Sequence, residues 1–153
     1  MVAVLIDIGL MIRAAGRWSV GKSARAPYRV GQEFTSAHIP YDTGESALVV
    51  FARGSCLACR SSAGLLSSLV DTIRERRCRR LFLVTGRDSE DASDRSFRES
   101  IGHSASQVLT LADLKVLTAP TLVLVDRTGR VEALWEGRLD ASAEKDILTR
   151  ACR

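Results

Sequence analysis

Two kinds of apolar patterning alternate along the second half of the chain. Residues Ala47–Ala52 form an unbroken apolar run, Ala-Leu-Val-Val-Phe-Ala, of strand length and bounded by Gly44 and Gly54. Such a run suits a strand buried on both faces. From 57 to 77 the period changes. Leu65, Leu66, Leu69, Val70 and Ile73 fall on one helical stripe, and Ser61, Ser62, Ser68 and Arg74 lie off it, which predicts one long amphipathic helix. A second short apolar strand follows at 81–85. The polar stretch 88–102 carries Phe97 and Ile101 four apart, the mark of a short helix, and 107–110 reads as a strand with one or two helical turns after it at 111–117. Strands at 121–125 and 131–135 bracket Asp126-Arg127-Thr128-Gly129-Arg130, a hairpin turn with its glycine. A helix at 140–151, with Ile147 and Leu148 turned inward, closes the chain.

This order is a β-α-β crossover, an inserted helix with a short strand and helix, a hairpin and a final helix. Right-handed crossover followed by an antiparallel hairpin makes a mixed sheet with helices on both faces, an α/β three-layer sandwich. The 153 residues are sufficient for one such domain with a real core, and 46% apolar and 26% charged residues exclude disordered and fibrous classes. There are no internal repeats.

The first 29 residues read differently. Positions 2–15 are largely apolar, interrupted by Asp7 and Arg13, and are shorter than a bilayer span. They are either the remnant of a membrane anchor or an apolar element packed on the domain. Positions 17–28 are basic, with Gly21 and Pro27, and read as a linker, so the domain is expected at 30–153. The net charge of +4 is concentrated in Arg74, Arg76, Arg77, Arg79 and Arg80. No aromatic residues interleave with them as nucleic-acid platforms require, so a solvated helix end is the simpler account and no nucleic-acid partner is expected.

Four cysteines are too few to build a disulfide scaffold, and only Cys56 and Cys59 form a motif. Ser55-Cys56-Leu57-Ala58-Cys59 stands where the buried strand ends and the long helix begins. A sulfur there faces unsatisfied backbone N–H groups, which favours the nucleophilic anion, and a second cysteine one turn deeper reaches the first. Cys56 would then attack a disulfide and Cys59 would resolve the mixed disulfide. Arg53 and Arg60 flank the pair. A zinc site would need two more ligands, and neither Cys78 nor His38 and His103 has ligand spacing, so no metal is expected.

The strand, the Cys-x-x-Cys turn and its helix, and then Ala119-Pro120 entering the hairpin, resemble the thioredoxin superfamily over roughly 30–153. The 64-position step from Cys56 to Pro120 is similar to the TlpA-like and peroxiredoxin-like (redoxin) branch, which carries an insert at this point. The resemblance implies a thiol–disulfide oxidoreductase acting on protein disulfides without metal or organic cofactor. It implies that Pro120 follows a cis peptide bond and, with Ala119 and Ser55, shapes the substrate groove. It also implies, if the apolar start is an anchor, an extracytoplasmic place and a membrane electron donor. The chain departs from the family twice: Ser55 stands where tryptophan is common, and Val50, six before Cys56, stands where thioredoxins carry a buried acid. In this topology the two long helices end together far from the dithiol, which makes Cys78 and Cys152 a candidate structural disulfide, with two ordinary thiols as the alternative.

Three other functions were weighed on the residues. Gly16-Arg17-Trp18-Ser19-Val20-Gly21-Lys22-Ser23 matches a P-loop, but Pro27 and Gly31 spoil the helix it requires, and Asp126 is better explained by the hairpin turn. A peroxiredoxin-like peroxidase using Cys56 lacks the upstream threonine, Arg53 holding its place. A non-catalytic binding module on the same fold does not account for the paired cysteines.

Overall fold

The computed structural model describes residues 28–34, 44–86, 92–102, 107–111 and 118–153. The apolar start, the P-loop-like segment, His38, His103 and positions 112–117 of the helical turns expected at 111–117 lie outside these residues, while Leu111 is the last residue of a strand instead. The elements are β1 (Ala47–Ala52), α1 (Leu57–Ser61), α2 (Ala63–Glu75), β2 (Arg80–Gly86), α3 (Ala92–Gly102), β3 (Gln107–Leu111), β4 (Thr121–Val125), β5 (Val131–Glu136) and α4 (Ala141–Ala151). Five strands form one sheet in the order β3-β2-β1-β4-β5. β1 and β2 pair in parallel, as do β2 and β3, while β1–β4 and β4–β5 are antiparallel. Among the described residues no helix is long and apolar enough to cross a membrane.

β1 lies at the centre because it can bury both of its faces. All six of its residues are buried. Leu48, Val50 and Ala52 join Leu81, Leu83, Leu122 and Leu124 on one side, beneath α2, α3 and α4, which contribute Leu66, Leu69, Ile73, Phe97 and Ile147. Ala47, Val49 and Phe51 join Phe82, Val84, Val123 and Val125 on the other. That second face receives Phe34, against which Tyr28 stacks at 5.2 Å, with Phe51 5.7 Å from the same tyrosine. Tyr28, expected at the end of a linker, is therefore packed against the sheet.

The helix expected over 57–77 is two helices with a joint at Ser62. The Ser62 side chain, placed off the apolar stripe by its polarity, is 1% exposed. Its hydroxyl accepts a hydrogen bond from the Leu139 N–H at 3.3 Å, a partner 77 residues away. α2 ends in a tight C-terminal cap: Cys78 N–H bonds to Ile73 C=O and Arg77 N–H to Arg74 C=O, with Arg77 at φ +49°. α4 starts on Asp140, whose carboxylate accepts from the Ala143 N–H at 2.9 Å. In the hairpin, the Asp126 carboxylate accepts from the backbone N–H groups of Thr128 and Arg130 and from the Thr128 hydroxyl. These bonds explain why an aspartate opens that turn.

β1 and α2 run toward opposite poles of the molecule, as the crossover requires. The Cys-x-x-Cys turn lies beyond the C-terminal end of β1. The C-terminal ends of α2 and α4 meet at the other pole, where Cys78 and Cys152 are joined in a disulfide with Cα atoms 4.6 Å apart. Arg79 reinforces that junction by donating to the carbonyls of Ala151 (2.9 Å) and Arg150 (3.2 Å), the free end of α4.

Candidate active site at Cys56 and Cys59

Chain direction alone places Cys56. β1 is locked in the centre of the sheet, so its exit turn, Arg53 to Ser55, must deliver the chain to the edge where α1 begins. The Cys56 N–H bonds back to Arg53 C=O at 3.2 Å, closing that turn. Cys56 is the N-cap of α1, and its sulfur accepts a hydrogen bond from the Cys59 N–H at 3.3 Å. Its thiol in turn donates to the Ala119 carbonyl at 3.1 Å. Both thiols are free, Cys56 half-buried and Cys59 with no exposed surface. Only the first sulfur can be met by another molecule.

Burial decides the state of Cys59. Taken from water and set among Ala52, Leu66 and Leu122, its thiol is pushed up to about 12, chiefly by burial, and proximity to Cys56 adds to the effect. The Arg53 backbone N–H, 3.5 Å from the Cys59 sulfur, opposes the shift without cancelling it. At neutral pH Cys59 is a protonated thiol held one helical turn behind Cys56.

The Ala119–Pro120 peptide bond is cis. It brings the Ala119 carbonyl against the Cys56 sulfur across 63 positions of sequence. Pro120 is buried, and its own carbonyl accepts from the Gly137 N–H at 2.9 Å, tying the loop after β5 to the same edge. Ser55 is exposed on the turn, and Leu57 is 74% exposed, the largest exposed apolar side chain beside the dithiol. Arg60 is exposed on α1. Cys56, Cys59, Ala119 and Pro120 are therefore together, with Ser55 at the rim. Cys78 and Cys152 stand at the opposite pole. Among the described residues no three His, Cys, Asp or Glu side chains cluster as a metal site.

Val50 is fully buried on the sheet face that Cys59 packs against, so the place of the absent acid is filled by hydrocarbon. Thr85, at the end of β2 and in register with Ala52, was not singled out from the sequence. Strand alternation puts it on the same face as Leu81 and Leu83, and its buried hydroxyl has no hydrogen-bond partner among the described residues. A threonine closing an apolar strand gave no sign of this.

A central parallel β-α-β unit, an antiparallel hairpin entered through a cis-proline, and a dithiol at the exit of the central strand decide the architecture. The fold is thioredoxin-like. No protein-family model matches the chain, and neither does any curated protein. Solved structures do match over most of this thioredoxin-like domain. A candidate thiol:disulfide interchange protein DsbE from Chlorobium tepidum aligns with TM-score 0.58 at 17% identity, over 82% of this chain and 99% of that one. A secreted disulfide oxidoreductase from Mycobacterium tuberculosis, homologous to E. coli DsbE, aligns with TM-score 0.55 at 16% identity, over 71% and 81%. The thioredoxin domain of a thiol–disulfide oxidoreductase from Bacteroides vulgatus aligns with TM-score 0.53 at 18% identity, over 72% and 81%.

Proposed function

We propose that the protein is a thiol–disulfide oxidoreductase for protein disulfides, with Cys56 as nucleophile and Cys59 as resolving thiol. The observation that carries this reading is the asymmetry of the pair: one sulfur open to partners, the other buried one turn behind it and bonded to it through its backbone N–H. In the first step the Cys56 thiolate attacks a substrate disulfide, one substrate sulfur leaves as a thiolate, and a mixed disulfide forms. Cys59 then loses its proton and attacks the Cys56 sulfur. The substrate departs as a dithiol, and the enzyme keeps a Cys56–Cys59 disulfide and has lost two electrons. Run backwards, the same steps oxidise a client.

Ala119 and Pro120 form the wall on which an extended client segment lies, and Ser55 its rim. The position of the Ala119 carbonyl beside the Cys56 sulfur supports this. Cys59 so near the nucleophile supports dithiol chemistry over a single-cysteine peroxidase. The Cys78–Cys152 disulfide supports work in an oxidising space outside the cytoplasm, where such a bond survives. Residues 1–15 would then tether the domain near a membrane donor of electrons, and 30–153 would be its catalytic domain.

Equilibration against a glutathione series, with alkylation and peptide mapping to assign each thiol, tests the reading. A two-electron transition at Cys56 and Cys59, absent in Cys56→Ser, is expected. Its midpoint separates a reductant near about −270 mV from an oxidant near about −120 mV. In Cys59→Ser a mixed disulfide should persist on Cys56. Absence of any transition at this pair in the wild-type protein would refute the assignment.

A further inference from the structure

At the pole opposite the dithiol, about 20 Å away along β1, lies a cavity of about 460 Å³. Arg74, Arg77, Arg79, Arg80 and Arg127 line it, and among the described residues Glu45 is the one acidic side chain that does. Ile73 and Leu81 stand behind this lining with almost none of their surface exposed. The volume falls within the range of small-ligand sites.

The arginines are not equivalent. Arg79 is committed to the end of α4 and to Glu132 at 3.6 Å. Arg80 pairs with Glu45 at 3.2 Å, and Arg74 meets Asp71 at 4.0 Å. The side chains of Arg77 and Arg127 have no ion-pair or hydrogen-bonding partner among the described residues, so two guanidinium groups line one concave surface without a partner carboxylate among those residues. They come from different elements, the cap of α2 and the β4–β5 turn, and the Cys78–Cys152 disulfide fixes the residue next to Arg77.

Arg77 carries the second observation. It occupies the left-handed position of the α2 cap, φ +49°, where glycine is favoured and a side chain costs stability. An arginine there weakens the helix end while setting a guanidinium at the cavity. Guanidinium forks match phosphate oxygens bidentately.

We propose that this cavity is a binding site for a phosphate-bearing anion, held by Arg77 and Arg127 with Arg74 and Arg80 at its edge. The same chemistry is offered by a soluble phosphate ester or by an anionic lipid headgroup. The site needs no redox step and is independent of the function proposed for the dithiol.

The test uses the full chain with two probes: inorganic pyrophosphate by titration calorimetry, and phosphatidylcholine vesicles with or without phosphatidylglycerol by flotation. Arg77→Gly suits the backbone better than arginine, so its urea midpoint should match or exceed that of the wild type. Arg127→Ser leaves the Asp126 turn bonds in place. Each variant is expected to lose at least tenfold in affinity for the probe that the wild type binds, and binding should weaken with added salt. Binding of pyrophosphate points to a soluble ligand, and binding of phosphatidylglycerol vesicles alone to a headgroup; either supports the site. Wild-type protein that binds neither probe at low ionic strength overturns it. So does wild-type affinity in either variant.

Discussion

The resolving step should be limited by the proton on Cys59. With that thiol pushed up to about 12, its ionised fraction at pH 7 is on the order of 10⁻⁵. An ordinary thiol near 8.5 would be about 3% ionised, roughly 3,000-fold more. A more basic thiolate is also a better nucleophile, and a Brønsted slope near 0.45 over about 3.5 units returns some 40-fold. Burial persists in the mixed disulfide while the Cys56 contribution falls away, so resolution at pH 7 should run up to about a hundredfold slower than it would with an unburied thiol, and should accelerate about tenfold per pH unit. The assay reacts reduced protein with an aromatic disulfide whose leaving thiol is ionised throughout, in stopped flow. The first thiolate released reports attack by Cys56 and the second reports resolution by Cys59. A log-linear rise of the second phase through pH 9 is expected. A plateau with a midpoint near 8.5 would refute the claim that burial governs Cys59. The raised value also has a sign for stability: reduced protein keeps the full contribution of the neutral thiol below the ordinary thiol range and loses it as pH climbs toward about 12.

Three further outcomes concern the scaffold. Ser62→Ala strands the Leu139 N–H in a buried position and should cost about 1–2 kcal/mol in urea unfolding, with the exchange chemistry retained. Thr85→Val keeps the shape of the side chain and removes a buried hydroxyl without a partner among the described residues, so it should raise stability by about 1 kcal/mol; a loss would show that the hydroxyl has a partner. The Cys78–Cys152 bond spans 74 positions, and opening it by Cys78→Ala with Cys152→Ala should cost about 4 kcal/mol on loop entropy, read as a lower urea midpoint in the doubly substituted chain.

Much of this architecture is written in local pattern. The apolar run of β1, the change of period after Gly54 and the Asp-x-x-Gly turn each report on a few neighbouring residues, and each element lies within a residue or a few of its expected limits. The dithiol was legible because its chemistry depends on where a strand ends and a helix starts. What local pattern hid are features made by distant partners. Ser62 reads as a surface residue until the loop at Leu139 arrives beside it. Tyr28 reads as linker until Phe34 and Phe51 supply a ring stack. Arg77 is one arginine in a row of basic residues, and only the backbone reveals that it holds a position suited to glycine.

The two cysteine pairs stand at opposite poles of the domain and answer to different physics. Cys56 and Cys59 are three positions apart, so joining them closes a short loop worth roughly 2 kcal/mol of chain entropy, less than half of what the long loop contributes. Cys78 and Cys152 are brought together only by the completed domain. By thermodynamic reciprocity, whatever their bond contributes to folding, folding returns to the bond. About 4 kcal/mol of loop entropy corresponds to about 90 mV of added resistance to reduction in a two-electron couple. Arg79, bonded to the last carbonyls of α4, holds the two helix ends together even when the sulfurs part, and so favours rapid reclosure. If the first pair cycles as proposed, this added resistance favours a second pair that stays oxidised while the first is reduced, and the placement of the two pairs at opposite poles keeps them from exchanging with each other.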